Sequence, residues 1–315
     1  MALIKTSLPG PTGSPPGFES APLRTGGRMP GPLDFHAIFL ADVAATKAAK
    51  TAAAIPTLAM PTPYGEMTKY ARVVKWPLFG ESGPRTTDIS QGGLGDCPLP
   101  ALLAAMANIA SGRKKIVEMI TEHKDKVITD LSALKGALSD EQPAGNITSQ
   151  RYFTVVIGGK SIDVSDVFFT DVADQGWSLL YMQASDTASV LWACVIEKAC
   201  SALLGGYDKL NEILTVNAIW KMVLGADPNG FAIGPKTSLD KIKEYASAAS
   251  KVPTIVASND DPALETKSQH KVLHSHGYAV LKLRGNNVDL YNPWGNALTL
   301  SVAEIKLYFQ AMFYP

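Results

Sequence analysis

Cysteine is scarce in this chain. Cys97, Cys194 and Cys200 are the three thiols in 315 residues. An odd, low count argues against a disulfide scaffold and suits a reducing compartment. There is no CxxC pair and no histidine-rich tract, so the spacing of a structural zinc site is missing. An excess of one charge is also lacking, since 29 basic residues stand against 29 acidic ones. No basic surplus points to nucleic acid or an anionic membrane, and no acidic tail points to a polycationic partner. No apolar run approaches the roughly 18 residues that cross a bilayer. The opening MALIKTSLPGPTGSPPGFES is broken by proline and glycine before a signal-like apolar segment can form. The expected setting is cytoplasmic, or that of a delivered or virus-associated protein without a secretory signal peptide.

What is present is enough apolar material for a sizeable core: 46% of residues are hydrophobic and 18% charged. Residues 1–65 read as a Pro/Gly/Ala-rich arm. Within it DFHAIFLADVAATKAAKTAAA reads as one helix capped by Asp34, and IPTLAMPTPYGE as a linker. The arm is expected to be a docking or control segment, with Ile38 and Phe39 on the apolar side of its helix.

Residues 66–210 read as a helical lobe. Lys114–Glu122 and Thr129–Leu138 continue a helical pattern, and SVLWACVIEKACSALLGG is a buried helix stopped by Gly205 and Gly206. RYFTVVIGGKSIDVSDVFF interrupts them as a hairpin turning at Gly158 and Gly159. In 211–315 the character changes. VPTIVAS, HGYAVLKLRG and NVDLYNPWG read as strands, KTSLDKIKEYASAAS as a helix capped by Thr237 or Ser238, and VAEIKLYFQAM as a short amphipathic end. The fold class is α+β with two lobes, and the cleft between them is the default site.

One stretch carries chemistry. ISQGGLGDCPLPALLAAMANIASG sets Cys97 where a glycine-rich loop meets an apolar helix. With Cys97 as N-cap, Pro98 is the first and Pro100 the third helical residue, positions whose N–H groups have no partner within the helix. The prolines therefore place the thiol at the helix mouth. There unpaired N–H groups and the helix dipole favour the thiolate, so a depressed thiol pKa and an accessible cleft position are expected. Leu99, Leu102, Leu103, Met106 and Ile109 form the buried face. Cys194 and Cys200 lie in an apolar helical run and read as core filler.

A thiol nucleophile needs a base, and the base needs an orienting group. His276, entering a strand in HSHGYAVL, and Asn292, in the turn YNPWG, fill these roles if their strands are adjacent. Gln91 is placed to swing its amide toward the same point and, with the Cys97 backbone N–H, to form a two-donor oxyanion hole.

The motifs QGGLGDC, HGYAV and YNPWG, in that order, resemble the calpain family of papain-like cysteine proteases, whose patterns run QGxLGDCWxLAA, GHAYSV and NPWG. LWACVIEKACSALLGGYDKL is similar to the family's EKAYAKLxGSY helix. The likeness covers about residues 75–315. It implies a papain-like fold with a helical lobe carrying Gln91 and Cys97 and a sheet-containing lobe carrying His276 and Asn292, acting on protein or peptide substrates. Departures are Pro98 for the tryptophan after the cysteine, Ser275 for the glycine before the histidine, and GNALTL after NPWG. The first two touch the substrate cleft, so specificity does not carry over. No D-x-D-x-D-G loop occurs, and no metal is assigned, with calcium allowed by the resemblance.

Blander readings stand beside this one. Cys97 alone would be a packed thiol, Asn292-Pro293 a turn, and Trp294 a core residue; within the set Trp294 would shield the His–Asn pair from water. His274 and His276 would share a strand face, a pairing for metal that lacks a third ligand. The leading function is a cysteine endopeptidase. A papain-like deamidase or transferase, and a binding or assembly module that keeps the fold, are the alternatives.

Overall fold

The computed structural model describes residues 55–65, 69–134, 137–138, 145–171, 179–184, 189–213 and 215–315. The arm ahead of residue 55, with its expected helix, lies outside them.

The first lobe is built on helix α1, Pro98–Ala107. Every residue of α1 is buried, so it is a central helix and not the one-faced helix its leucine spacing suggested. Helices α2 (Ala110–Met119), α3 (Trp192–Leu204), α4 (Tyr207–Asn211) and α5 (Val216–Leu224) complete the helical part. Helix α3 ends as its sequence predicts: Gly205 sits at φ +95°, and the Gly206 N–H returns to Ser201 O at 2.9 Å. Val216, Ile219, Trp220 and Val223 of α5 pack into this same core.

The lobe carries more β structure than its sequence announced. The expected hairpin forms from Tyr152–Ile157 and Lys160–Ser165, with Gly158 and Gly159 at φ +54° and +80° in its two-residue turn. Ile120–His123 pairs alongside it. The stretch after Thr129, expected to be helical, instead follows strand Val127–Asp130 with a 3-10 turn at Ser132–Leu134. Residues expected to be a linker supply strand Thr57–Ala59, which runs parallel to Val127–Asp130. These short strands are decided by distant partners and carry little local signal.

The second lobe is a six-stranded antiparallel sheet. Its order is Asn229–Ala232, Phe309–Tyr314, Ile255–Ser258, Gly277–Arg284, Asn287–Asn292 and Asn296–Ser301. Three of these strands match the expected runs. The chain end, read as one amphipathic piece, divides into a helix, Val302–Tyr308, and a strand that enters between two earlier ones. Helix Leu239–Ala248 packs beside the sheet, and Ser238, not Thr237, is its cap, accepting the Lys241 N–H at 3.2 Å.

The lobes close on each other. Ile255, Ala279 and Tyr291 of the sheet belong to the apolar cluster around α1. Asn108, at the end of α1, donates to Leu281 O at 2.8 Å, and the Tyr291 hydroxyl donates to Ile89 O at 2.7 Å. The Gln91 N–H bonds Pro293 O at 2.8 Å. Apolar burial supplies the bulk of this contact and the polar bonds set its register.

Candidate active site

The loop before the cysteine is shaped by close backbone approach. A β-carbon on Gly92 would fall 1.8 Å from Tyr181 O, a distance only glycine permits. The Gly93 N–H bonds Leu180 O at 2.8 Å, and the Gly95 N–H bonds the Asn211 side chain at 2.8 Å. The loop is thus clamped by residues 180–181 on one side and α4 on the other. It delivers Cys97 to the N-terminus of α1, with Pro98 and Pro100 at the expected first and third positions. The Leu99 N–H bonds Asp96 O at 2.8 Å, and the Cys97 carbonyl accepts the Ala101 N–H at 3.1 Å.

From the facing sheet, the residue after His276 touches this helix mouth. A β-carbon on Gly277 would lie 3.6 Å from both Ala101 Cβ and Cys97 O. The Gly277 N–H favours the charged form of the Cys97 thiol. His276 is buried, and its Nε2 lies 2.9 Å from Asn292 Oδ1. That oxygen also accepts the Trp294 N–H at 3.1 Å, which identifies it as the acceptor atom of the amide. Nε2 therefore carries the proton, and Nδ1 is the free basic nitrogen. The adjacency comes from antiparallel pairing of strands Gly277–Arg284 and Asn287–Asn292, with Ala279 opposite Tyr291. The Trp294 ring centre is 5.6 Å from that of His276, yet 53% of the residue is exposed, so it covers the pair as a partial lid and is not a core residue.

The backbone of His276 is clamped by a residue the sequence reading did not single out. The fully buried Ser258 accepts the His276 N–H at 2.9 Å and donates its hydroxyl to His276 O at 3.1 Å. Ser275 stands at φ +46°, the left-handed region that favours glycine, which explains what glycine does in the resembling motif. Its hydroxyl donates to Asp260 at 3.0 Å, and this hydrogen bond offsets part of the strain. His274 does not share a face with His276, since the strand begins only at Gly277. Its Nδ1 lies 2.9 Å from Glu265.

Two expectations need correction. Cys97 is 7% exposed and is not an accessible cleft thiol. Burial pushes its pKa up to about 12, against the smaller favourable pull of the Gly277 and Cys97 N–H groups at the helix mouth. Burial likewise pulls His276 down to about 4, the Asn292 bond opposing it. Desolvation outweighs the helix dipole because both groups lie where the lobes meet. At neutral pH the thiol and the imidazole are therefore both neutral. The Gln91 amide donates to Leu94 O at 2.6 Å, and no partner among the described residues reaches its buried Oε1.

A pH dependence follows from His276. Its folded value is below the ordinary 6.5, so burial of the neutral ring contributes fully above about 6.5. That contribution is lost as pH falls toward about 4, a loss worth roughly 3 kcal/mol. Urea unfolding followed between pH 7 and pH 4 should show this destabilisation in the native chain, and His276→Phe should flatten it.

Among the described residues no three His, Cys, Asp or Glu side chains converge on a metal position. All three cysteines are free and buried, as expected of Cys194 and Cys200. No described helix is long and apolar enough to cross a membrane.

Comparison with known proteins agrees with the motifs. A family profile described as calpain family cysteine protease matches residues 66–299. Calpain-B of Drosophila melanogaster is 24% identical over 257 residues, which are 75% of this chain and 24% of that protein. Calpain-8 of Homo sapiens is 25% identical over 228 residues, 70% of this chain and 29% of its own length. Calpain-2 catalytic subunit of Gallus gallus is 25% identical over 236 residues, 70% and 29%. The chain spans about a quarter of the length of these relatives. With three quarters of its residues covered by the family pattern and its cysteine helix and histidine strand brought together between two lobes, the chain belongs to the calpain family of cysteine proteases.

Proposed function

We propose that this chain is a cysteine endopeptidase acting through a thioester on Cys97. The observation that carries the reading is the buried His276–Asn292 pair at 2.9 Å, with His276 just ahead of a strand whose first residue, Gly277, packs against the Cys97 helix mouth. His276 Nδ1 takes the thiol proton as the sulfur attacks a peptide carbonyl. The proton moves within the pair, so no standing thiolate is required. The protonated imidazole is steadied through Nε2–H by Asn292 and then gives its proton to the leaving amine. Water hydrolyses the thioester. The Cys97 N–H stabilises the oxyanion, and the Gln91 amide joins it after rotating away from Leu94 O.

The direct test is cleavage profiling of a whole proteome by mass spectrometry, with Cys97→Ala as the control. New peptide termini that depend on Cys97 support peptidase action. Deamidated or transferred products without new termini would assign the site to other acyl chemistry.

The role of Asn292 has its own test. Asn292→Ala should lower kcat by roughly 10- to 100-fold and leave measurable turnover, since the imidazole still finds the thiol part of the time. His274→Ala should change kcat little. The reverse ranking would mean that the base has been misassigned.

A further inference from the structure

The mechanism leaves two carboxyl groups unused, and they lie directly behind the nucleophile. Asp96 is 0% exposed, and Glu197, on α3, is 2% exposed. Both Glu197 oxygens accept the Met182 N–H, at 3.0 and 2.9 Å. Asp96 Oδ1 lies 3.4 Å from Gln91 Nε2, while no donor among the described residues reaches the buried Asp96 Oδ2. The two carboxyl groups act directly on each other.

Carboxylates are acceptors only, so two facing carboxylates cannot satisfy one another, and in a buried site they cannot both be charged. A proton between them supplies the donor that Asp96 Oδ2 lacks. Among the described residues no cation stands in its place. The titratable groups that feel the pair are Cys97, Cys194, Cys200, Tyr181 and Tyr207, all acids that burial holds in their neutral forms. Lys198, next to Glu197 on α3, directs its ammonium group to Ser165 and the Val167 carbonyl.

We propose that Asp96 and Glu197 share a proton at neutral pH and that this acid pair is a positioning device for the catalytic loop. It ties the residue before Cys97 to α3 and holds the Gln91 amide through the other Asp96 oxygen. The inference deepens the roles given above to Gln91 and Cys97 and rests on that reading for its catalytic consequence. Burial pushes both carboxyl groups well above the ordinary carboxylate range, in line with a retained proton.

As pH rises, the shared proton leaves to solvent and two adjoining buried negative charges remain. Their repulsion separates Asp96 from α3 and carries Gln91 and Cys97 with it. Because the folded values are raised, the pair's contribution to stability is full in acid and is lost as pH climbs through them.

The test uses the native chain, Asp96→Asn and Glu197→Gln. In both variants an amide N–H replaces the shared proton. Infrared spectra of the native chain at neutral pH should show the carbonyl band of a buried protonated carboxyl, which disappears at alkaline pH and is absent from either variant. The unfolding constant of the native chain should rise by up to about tenfold per pH unit from the ordinary carboxylate range up to that transition and level off above it, with a several-fold shallower rise in Asp96→Asn. The alkaline limb of kcat should move to higher pH in Asp96→Asn while KM stays in place. A native chain without the band, or an Asp96→Asn chain with an unaltered stability profile, overturns the proposal. If neither variant folds, appearance and alkaline loss of the band in the native chain decide it. A chain that shows the band but cleaves no peptide would overturn the peptidase reading and leave the shared proton standing.

Discussion

Cys97→Ala should abolish turnover, with kcat falling by about 10⁴-fold or more, while the chain stays folded. Without the sulfur no thioester forms, and neither the helix mouth nor the His276–Asn292 pair supplies a substitute nucleophile. Because the thiol is buried between the lobes, its loss should cost roughly 1 kcal/mol of stability, more than a surface position would. His276→Ala should be comparably severe in rate. A substrate-like electrophilic probe should label Cys97 alone, since Cys194 and Cys200 are sealed in the core at 1% and 0% exposure and have no His276 to take their protons. Denaturant unfolding, steady-state kinetics and mass mapping of the labelled peptide measure the three effects. Persistent cleavage by the alanine variant would remove Cys97 from the mechanism.

Gly92→Ala should be the most damaging substitution that touches no reacting atom. The added methyl would meet the Tyr181 carbonyl oxygen at 1.8 Å, its carbon at 2.6 Å and the Leu180 oxygen at 2.7 Å. All three are backbone atoms, so no side chain can swing aside, and the loop must lift away from residues 180–181. We expect a loss of about 3 kcal/mol in stability and a fall in kcat larger than the stability loss alone would produce, since Gln91 and Cys97 sit at the two ends of the displaced loop. Gly83→Ala is the control. Gly83 has φ +71° with open space around it, so alanine there should cost only about 1 kcal/mol and leave kcat unchanged. Equal kinetic effects from both variants would show that the close approach at Gly92 does not matter to catalysis.

Much of the site was legible because it depends on local chemistry. Pro98 and Pro100 located the start of α1 through their missing N–H groups, and Gly158-Gly159 located the hairpin through their φ values. The order of the cysteine, histidine and asparagine motifs named the lobes on which they lie. What was not legible is non-local. Strand Thr57–Ala59 exists because it finds Val127–Asp130, and the terminal strand exists because it enters between Asn229–Ala232 and Ile255–Ser258. Ser258 is an ordinary serine in sequence, and only the pairing of its strand with His276 makes it a clamp. Glu197 was visible as a motif residue, but nothing in its spacing from Asp96, one hundred and one positions away, places the two carboxyl groups together.

The amino-acid sequence by itself singled out Cys97, His276 and Asn292 as the candidates and set Cys97 at the start of α1, because capping and turn chemistry act over a few residues. Tertiary structure alone decided their protonation states. A helix mouth favours thiolate, and an exposed histidine titrates near neutrality. Closure of the two lobes over both groups removes the water that would stabilise either charge. Desolvation then raises the thiol and lowers the imidazole by more than the local dipole returns.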